Sequence, residues 1–369
     1  SGTAGTAISA VSETLRTVSA VTNAVTNTAG ISANLGFSKS SSSSESHQTL
    51  VAGSSISGGN VQIAAANDIA VTGSKIEAPG NITLAAGGDI SLAAAQETLD
   101  TRAKSKSSGA GIGVSLGVSL VSGVSASASA SFSQSSGRSE SHTVSNVNSE
   151  VSAGGTLALV SGGDTTLRGA VAQGRDVLAT IGGDLTIESV QDLSSRSSKS
   201  GGINLGLGYS PAAGGSGFGI SGGVQVGSGR GNSAVVAGQS ALMASGGSLV
   251  ATVGGTTSLI GGLIAAVDAE GNDSGQLNLS TGSLIARDIH DSAASKDVSI
   301  GLSANINDPF EQGVKGANTP VVDAAYTSST FRQETRATIG QGVVTIGNPA
   351  AGTDLAAINR DLAQSQVVT

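Results

Sequence analysis

Two serines lie in the motif Gly-x-Ser-x-Gly, which in some hydrolases presents a serine nucleophile on a sharp turn between a strand and a helix. They are Ser115 in 113–117 (GVSLG) and Ser221 in 219–223 (GISGG). Acyl transfer at such a serine needs a histidine and a carboxylate beside it. Both motifs lie inside runs of alternating apolar and small residues that predict extended strands. We therefore interpret both as chance matches in a chain with 55 glycines.

The histidines and the Gly-Asp pairs are the other candidates for chemistry. His47 and His142 each close a Ser-Glu-Ser-His motif, and this repeated position favours a structural junction over a pH sensor. His290 is a single histidine among nearby carboxylates, which is typical of a solvated turn. The turns at 87–89 and 182–184 (both GGD) lack the nine-residue spacing of calcium-binding repeats. We therefore expect no enzyme activity, no cofactor and no metal site.

The segment 58–96 contains the structural unit that the rest of the chain repeats. Apolar-x-apolar blocks begin at Val61, Ile69, Ile82 and Ile90, each directly after Asn or Asp. A period of two within each block predicts a short strand with one buried face. The blocks recur in coils of about 21 residues, and one coil cannot bury its apolar face alone. We therefore predict an all-β fold, a right-handed parallel β-helix.

A longer repeat of about 95 residues inserts a hairpin between pairs of coils. Both Phe37 and His47 recur at this spacing, as Phe132 and His142. We therefore predict one β-helix over 30–347. Its hairpin excursions are expected near 30–47, 97–142, 192–233 and 288–331.

The two ends of the chain have a different pattern. In 1–29, apolar residues recur every three or four positions, which predicts a helix, with a strand arm as the alternative. These apolar residues are Ile8, Val11, Leu15, Val18, Val21 and Val25. Residues 348–369 are predicted to be helical, with Leu355, Ile358 and Leu362 on one side after a cap at Thr353-Asp354.

Each hairpin carries apolar residues on one face and mostly glycine or serine on the other. The candidate membrane-contact or packing face consists of Ile112, Val114, Leu116, Val118, Leu120, Val124, Phe132, Ile203, Leu205, Leu207, Phe218 and Ile220. An arm such as 110–120 extends about 36 Å, and tilted by about 40° it would span the roughly 25 Å apolar band of an outer membrane. Two interpretations remain open. The hairpins contact lipid, or they pack apolar side down as a second sheet on the β-helix.

Composition limits the partners of the chain. Its net charge is −8 and only 12% of its 369 residues are charged, so it lacks the basic stripe that neutralises nucleic-acid phosphates. The sequence has no initial methionine, no signal peptide and no apolar run long enough for a transmembrane helix. We therefore expect an internal part of a larger protein.

The Gly-Gly-Asp coils, the Ser-Glu-Ser-His closures and the Ser/Gly hairpins resemble the haemagglutinin repeats of filamentous-haemagglutinin-type exoproteins. The tail 335–340 (TRATIG) with 358–361 (INRD) is similar to the end of the second repeat region in contact-dependent growth inhibition effectors. The resemblance covers nearly all of 30–369, whereas the leading segment matches no family pattern.

The resemblance implies a protein that is secreted to the bacterial surface and acts at the outer membrane of a neighbouring cell. Its implied partners are that membrane or a receptor in it, the outer-membrane transporter of two-partner secretion and a C-terminal toxin module. The last two would act through regions that this sequence does not contain. The implied role is a stalk that carries the toxin across the target membrane. The alternative is an adhesin stalk for host or cell–cell adhesion that never enters a bilayer.

Overall fold

The computed structural model describes residues 6–8, 12–16, 28–119, 123–210, 217–307, 319–349, 352 and 354–369. Almost all regular structure in them is β-strand, which confirms the predicted all-β class. The strands in chain order are β1 (Thr6–Ile8), β2 (Ser12–Arg16), β3 (Thr28–Thr49), β4 (Ser55–Ser57), β5 (Val61–Ala65), β6 (Ile69–Thr72), β7 (Lys75–Ala78), β8 (Ile82–Ala86), β9 (Ile90–Ala93), β10 (Ala95–Ser119), β11 (Gly123–Val147), β12 (Ser149–Ser161), β13 (Thr165–Arg168), β14 (Ala170–Ile181), β15 (Leu185–Glu188), β16 (Asp192–Tyr209), β17 (Phe218–Val235), β18 (Ala241–Ser245), β19 (Leu249–Ile260), β20 (Leu263–Val267), β21 (Leu277–Arg287), β22 (Ile289–Asn307), β23 (Val321–Thr335), β24 (Thr338–Ile339), β25 (Gly342–Ile346) and β26 (Gln366–Val368).

These strands form two sheets. The parallel sheet has 16 strands, β4–β9, β12–β15, β18–β21, β24 and β25. The antiparallel sheet has 10 strands, in the order β1, β3, β10, β11, β16, β17, β22, β23, β26, with β2 also paired to β3. Strands that are neighbours in this antiparallel sheet follow one another as successive hairpin arms in the chain.

The parallel sheet is built from stacked coils. β7, β8 and β9 supply the three sides of one coil, and β12 and β13 supply the three sides of the next coil directly above them. Every pairing between coils is parallel and keeps the apolar positions in register. This arrangement is consistent with the predicted parallel β-helix.

Stacking in register produces columns of buried side chains inside the coils. One column on the first side is Ile76, Val151, Ala172, Leu242, Ile264 and Ile339, and none of these is more than 1% exposed. A second column is Leu92, Leu167, Ile187 and Leu259, all fully buried. Fully burying such a side chain stabilises the fold by about 1.5–3 kcal/mol, so the columns are the principal core.

The predicted Gly-Asp turns hold successive coils together. Asp68 accepts a hydrogen bond from the backbone N–H of Asp89, and Asp89 in turn accepts one from Asp164. Asp164 and Asp184 continue the series, accepting from the N–H groups of Asp184 and Thr256. The distances lie between 2.7 and 2.9 Å. Each aspartate therefore satisfies a backbone donor of the next coil, which would otherwise be unpaired at the corner.

Each aspartate has room because a glycine lies opposite it. A Cβ atom at Gly88, Gly163 or Gly183 would stand 2.1 or 2.2 Å from the Oδ1 atom of the aspartate in the coil below. Such a contact is shorter than any real Cβ contact, so the second glycine of each Gly-Gly-Asp turn is a steric requirement of this aspartate ladder.

The hairpins of the antiparallel sheet all leave the coils at the same corner. β10 begins directly after β9 ends, and the chain returns through β11 to begin β12. In the same way, the paired strands β16 and β17 lie between β15 and β18 in the chain, and the paired strands β22 and β23 lie between β21 and β24. Because the exits are stacked, neighbouring hairpins hydrogen-bond to one another, β11 to β16 and β17 to β22.

The helices predicted at the two ends are wrong where the structure describes these residues. Thr6–Ile8 and Ser12–Arg16 are strands paired with β3, whereas Val11, Val18, Val21 and Val25 lie outside the described residues. The open edge of β3 offers these β-branched segments backbone partners that a lone helix lacks.

In the tail, Leu355–Ala357 and Leu362–Gln364 are single 3-10 turns, each capped by an aspartate, and a strand follows. Asp354 caps as predicted by accepting from Ala356 N–H, while Thr353 lies outside the described residues. Ile358 is buried on the last coil. The tail follows that coil instead of forming a free helix, because a long helix would expose this apolar side chain.

We expect Gly162→Ala to destabilise the chain by about 1–3 kcal/mol, because its Cβ would lie 2.2 Å from the backbone oxygen of Gly87 and would push two coils apart. Denaturant unfolding of the variant measures this change. Gly59→Ala is the matched control, since no atom lies within 4 Å of the Cβ position there. Equal stability of the two variants would contradict the close stacking of coils.

Candidate functional site

The predicted contact residues whose side chains the structure describes lie on one face of the antiparallel sheet. Residues paired across neighbouring antiparallel strands point to the same side, so the register decides which side chains share a face. One transverse row is Leu35, Ile112, Ala130, Leu207, Ile220 and Ile306. The next row toward the coils is Phe37, Ala110, Phe132, Leu205, Gly222 and Ala304. We call this side the apolar face.

The apolar face is exposed to solvent. Ile112 is 62% exposed, and Leu205 is 53% exposed. The other exposed members of the predicted set are Val114, Leu116, Phe132, Ile203 and Leu207. Phe218 and Ile220 are half-buried. Packing of the hairpins apolar side down on the β-helix is therefore not the arrangement of this structure.

Three predicted residues are not fully described. The backbones of Val118 and Val124 pair with each other near the end of the first hairpin, but their side chains lie outside the described part, as does the whole of Leu120. Further exposed side chains share the apolar face and were not among the predicted contact residues. They are Leu35, Phe37, Tyr209, Val224, Val226, Ile300, Leu302 and Val322. The strict alternation along each arm is the signal that could have found them.

The opposite face of the same sheet consists mainly of small and polar residues, with Leu99, Val321 and Phe331 as exposed apolar exceptions. One row there is Gly36, Gly111, Ser131, Gly206, Ser221 and Asn305. Ser115 lies on this face, and its Oγ atom is 2.6 Å from the Oγ of Ser127 in the neighbouring strand. Both Gly-x-Ser-x-Gly serines thus lie within strands, β10 and β17, and a nucleophile elbow requires a turn instead.

The histidines contact carboxylates at the strand bases. His142 Nδ1 lies 2.6 Å from Asp100 Oδ1, and His47 Nε2 lies 2.9 Å from Glu45 Oε1. His290 Nδ1 is 3.6 Å from a carboxylate oxygen of Glu334. Within the described ranges, no three His, Cys, Asp or Glu side chains are grouped so that they could hold a metal ion. The described residues also include no helix that is long and apolar enough to cross a membrane.

A buried carboxylate fixes the base of the last two hairpins to the coils. Asp291 is 2% exposed. Its Oδ1 accepts from Gln191 Nε2 at 2.8 Å and from Val236 N–H at 3.1 Å. Its Oδ2 accepts from Thr335 Oγ1 at 2.8 Å and from Gln333 Nε2 at 3.2 Å. A buried carboxylate needs such partners. No local pattern predicts this junction, because Gln191 alone lies 100 positions from Asp291.

Comparisons with known proteins show which sequences the chain is similar to. The family model described as hemagglutinin repeat matches residues 35–202. A 16S rRNA endonuclease CdiA from Enterobacter cloacae is 40% identical over 202 residues, or 54% of this chain and 6% of the relative. A tRNA nuclease CdiA from Escherichia coli is 30% identical over 335 residues, or 87% of this chain and 10% of the relative. A Toxin CdiA from Yersinia pestis is 31% identical over 199 residues, 52% of this chain and 6% of the relative.

The chain therefore spans at most a tenth of the length of these relatives. No solved structure matches it.

We expect the apolar face to add little to folding stability. Leu205→Ala should change the free energy of unfolding by less than about 1 kcal/mol, since half of this side chain is already in water. Leu157→Ala, at a fully buried core position, should cost about 2–5 kcal/mol. Chemical denaturation compares the two. A loss at Leu205 as large as that at Leu157 would mean that the face is buried in the folded protein.

Proposed function

This chain is a haemagglutinin-repeat region of a CdiA-type protein, and on that basis we propose that it is the stalk and translocation region of a secreted contact-dependent growth inhibition effector. The region works without enzymatic activity of its own. Its coils are the stiff stalk, and its antiparallel sheet contacts the outer membrane of the target cell while a C-terminal toxin is delivered. Export uses an outer-membrane transporter of the two-partner type.

One observation carries the membrane role, namely the continuous exposed apolar face of the antiparallel sheet. Soluble proteins rarely expose contiguous apolar patches beyond a few hundred Å², and larger ones mark surfaces for lipid or for other proteins. Here seven members of the predicted set are exposed side by side, on strands that are hydrogen-bonded to each other. The face is therefore ready for contact without unfolding of the coils.

The two-sided character of the sheet supports lipid as the contact. Glycine and serine on the opposite face suit water, while isoleucine, leucine and phenylalanine on the apolar face suit hydrocarbon. The interior strands β10, β11, β16, β17 and β22 are paired on both edges along most of their length, whereas the outer edge of β23 is paired only at its base. This pairing matters, because an unpaired backbone group in lipid costs several kcal/mol.

Single cysteines test the contact, since the natural chain has none. We expect an environment-sensitive dye on Leu116→Cys to shift to the blue when outer-membrane-lipid vesicles are added. The dye on Ser115→Cys, one residue away on the polar face, should not shift. Without lipid the two dyes should emit alike, because both positions are exposed. Ile203→Cys and Asn204→Cys form the same pair on the second hairpin.

The pattern of shifts decides the outcome. A shift at both members of a pair would show that the hairpin loses its two-sided order in lipid. Absence of any shift, with folded protein confirmed by circular dichroism, would overturn the translocation role and favour the adhesin stalk.

A further inference from the structure

The apolar face continues toward the coils into a band of positive charge. Three successive rows, those of Arg102, Lys104 and Lys106, lie between the apolar rows and the junction with the coils. These rows hold the cations Arg102, Lys104, Lys106, Arg138, Lys199, Arg230 and Lys296. All of them are exposed and lie on the same face as Ile112. We call this group the basic belt.

The belt differs in sign from the protein as a whole, and it corrects the expectation, drawn from overall charge, that the chain lacks a basic stripe. The chain has a net charge of −8, yet the only carboxylates on this face in these rows, among the described residues, are Glu45 and Glu140. Glu140 accepts from Arg138 and lies near Arg102. The hydrogen bond from Arg138, and then the charges of Arg138, Arg102 and Lys104, lower the pKa of the Glu140 carboxyl. The cations therefore set the local potential.

The register brings like charges directly opposite one another. Lys104 pairs with Arg138, and Arg138 pairs with Lys199 on its other side. In the neighbouring row Arg230 pairs with Lys296. Like charges in directly opposed positions of a sheet are destabilising. An anionic partner that lies across several strands would relieve this repulsion.

We propose that the basic belt binds the anionic phosphate headgroups of a lipid membrane while the apolar rows beyond it contact hydrocarbon. This inference rests on the proposed function and adds the lipid class and the depth of contact. Along β10, Lys106 lies about 13 Å and Lys104 about 20 Å from Ala110, the first residue of this strand in the apolar rows. On β17 and β22 the apolar residues Val226 and Ile300 already lie in the row of Lys106. With the strand tilted, long lysine side chains extend to the headgroup layer. The coils then remain outside the membrane.

The basic belt and the apolar rows form one continuous surface, and this continuity favours lipid over a soluble polyanion as the partner. A partner that binds only through charge would leave the apolar rows exposed next to it. A membrane supplies hydrocarbon and phosphate at adjacent depths, in the same order as the apolar face and the belt. Tyr326, over which the Lys296 ammonium lies at 5.4 Å, also occupies the belt, and tyrosine is enriched at membrane interfaces.

Vesicle flotation of the full chain tests the belt. Vesicles of phosphatidylcholine are compared with vesicles containing about 30 mol% phosphatidylglycerol, at low and high salt. The chain should bind the anionic vesicles at least about tenfold more strongly, and salt should weaken that preference. The triple variant Lys104→Gln, Lys106→Gln, Lys199→Gln should lose the preference and keep the binding to neutral vesicles.

Two matched variants control for charge and for folding. The first control is the triple variant Arg168→Gln, Arg175→Gln, Arg287→Gln. It removes the same charge from the parallel sheet and should keep the preference for anionic vesicles. The second control is the triple variant Lys104→Arg, Lys106→Arg, Lys199→Arg. It keeps the charge of the basic belt and should therefore keep the preference for anionic vesicles. Thermal melts confirm that each variant is folded.

Equal binding of the chain to both vesicle types would overturn the inference. The control triple variant would also overturn it by losing as much of the preference for anionic vesicles as the lysine-to-glutamine triple variant. A third contrary result is belt-dependent binding of heparin without a preference for anionic vesicles. If the emission of the dye at Leu116→Cys still shifts in any of these cases, the proposed function stands and only the assignment of the basic belt fails. If no vesicle produces a shift, the proposed function fails as well.

Discussion

The stacking of coils by main-chain and aspartate hydrogen bonds is the constraint on which the rest of the molecule depends. Each coil presents a row of backbone groups to its neighbour, and the corners are the points where this pairing would otherwise fail. Oδ1 atoms of Asp68, Asp89, Asp164 and Asp184 continue the pairing through one corner at 2.7–2.9 Å. Because every donor is satisfied by the coil below, the coils stack in only one register.

That fixed register also determines the antiparallel sheet. Hairpins that leave from one corner of successive coils begin in nearly the same place, so their arms lie side by side and form ladders along their length. An isolated hairpin is marginally stable in water. Because the hairpins leave successive coils one above another, several marginally stable hairpins pair into one wide sheet. Hydrogen bonds to groups such as Asp291 connect the base of this sheet to the coils.

In the resulting antiparallel sheet, the residue types change along the strands as well as from one face to the other. From the coils outward, one face passes from the basic belt to the apolar rows, while the other face carries mainly small and polar residues, including the Arg196–Asp297 ion pair. The buried hydrophobic cluster consists of aliphatic side chains from the coils and from the tail that packs on the last coil. Folding stability and surface contact are thus assigned to separate sheets, and the contact surface stays exposed although it is apolar.

Alternation and spacing along the chain were enough to predict the strands, the coil period and the two-faced hairpins. These are local properties, since alternation over a few residues fixes which side chains share a side of one strand. Local patterns were misleading at the ends, where a three-to-four spacing predicted helices but the edge of β3 and the last coil offered backbone partners for strands and short turns. The sequence also left open whether the hairpins pack on the coils.

The register of one hairpin against the next depends instead on how the coils are stacked in the folded protein. A shift of one residue between β11 and β16 would have put Leu205 and Leu207 on the polar side. The observed register unites the separate apolar stripes into one face and aligns Lys104, Arg138 and Lys199 into one basic row. No local pattern encodes this alignment, because it is set by the height of each coil in the stack.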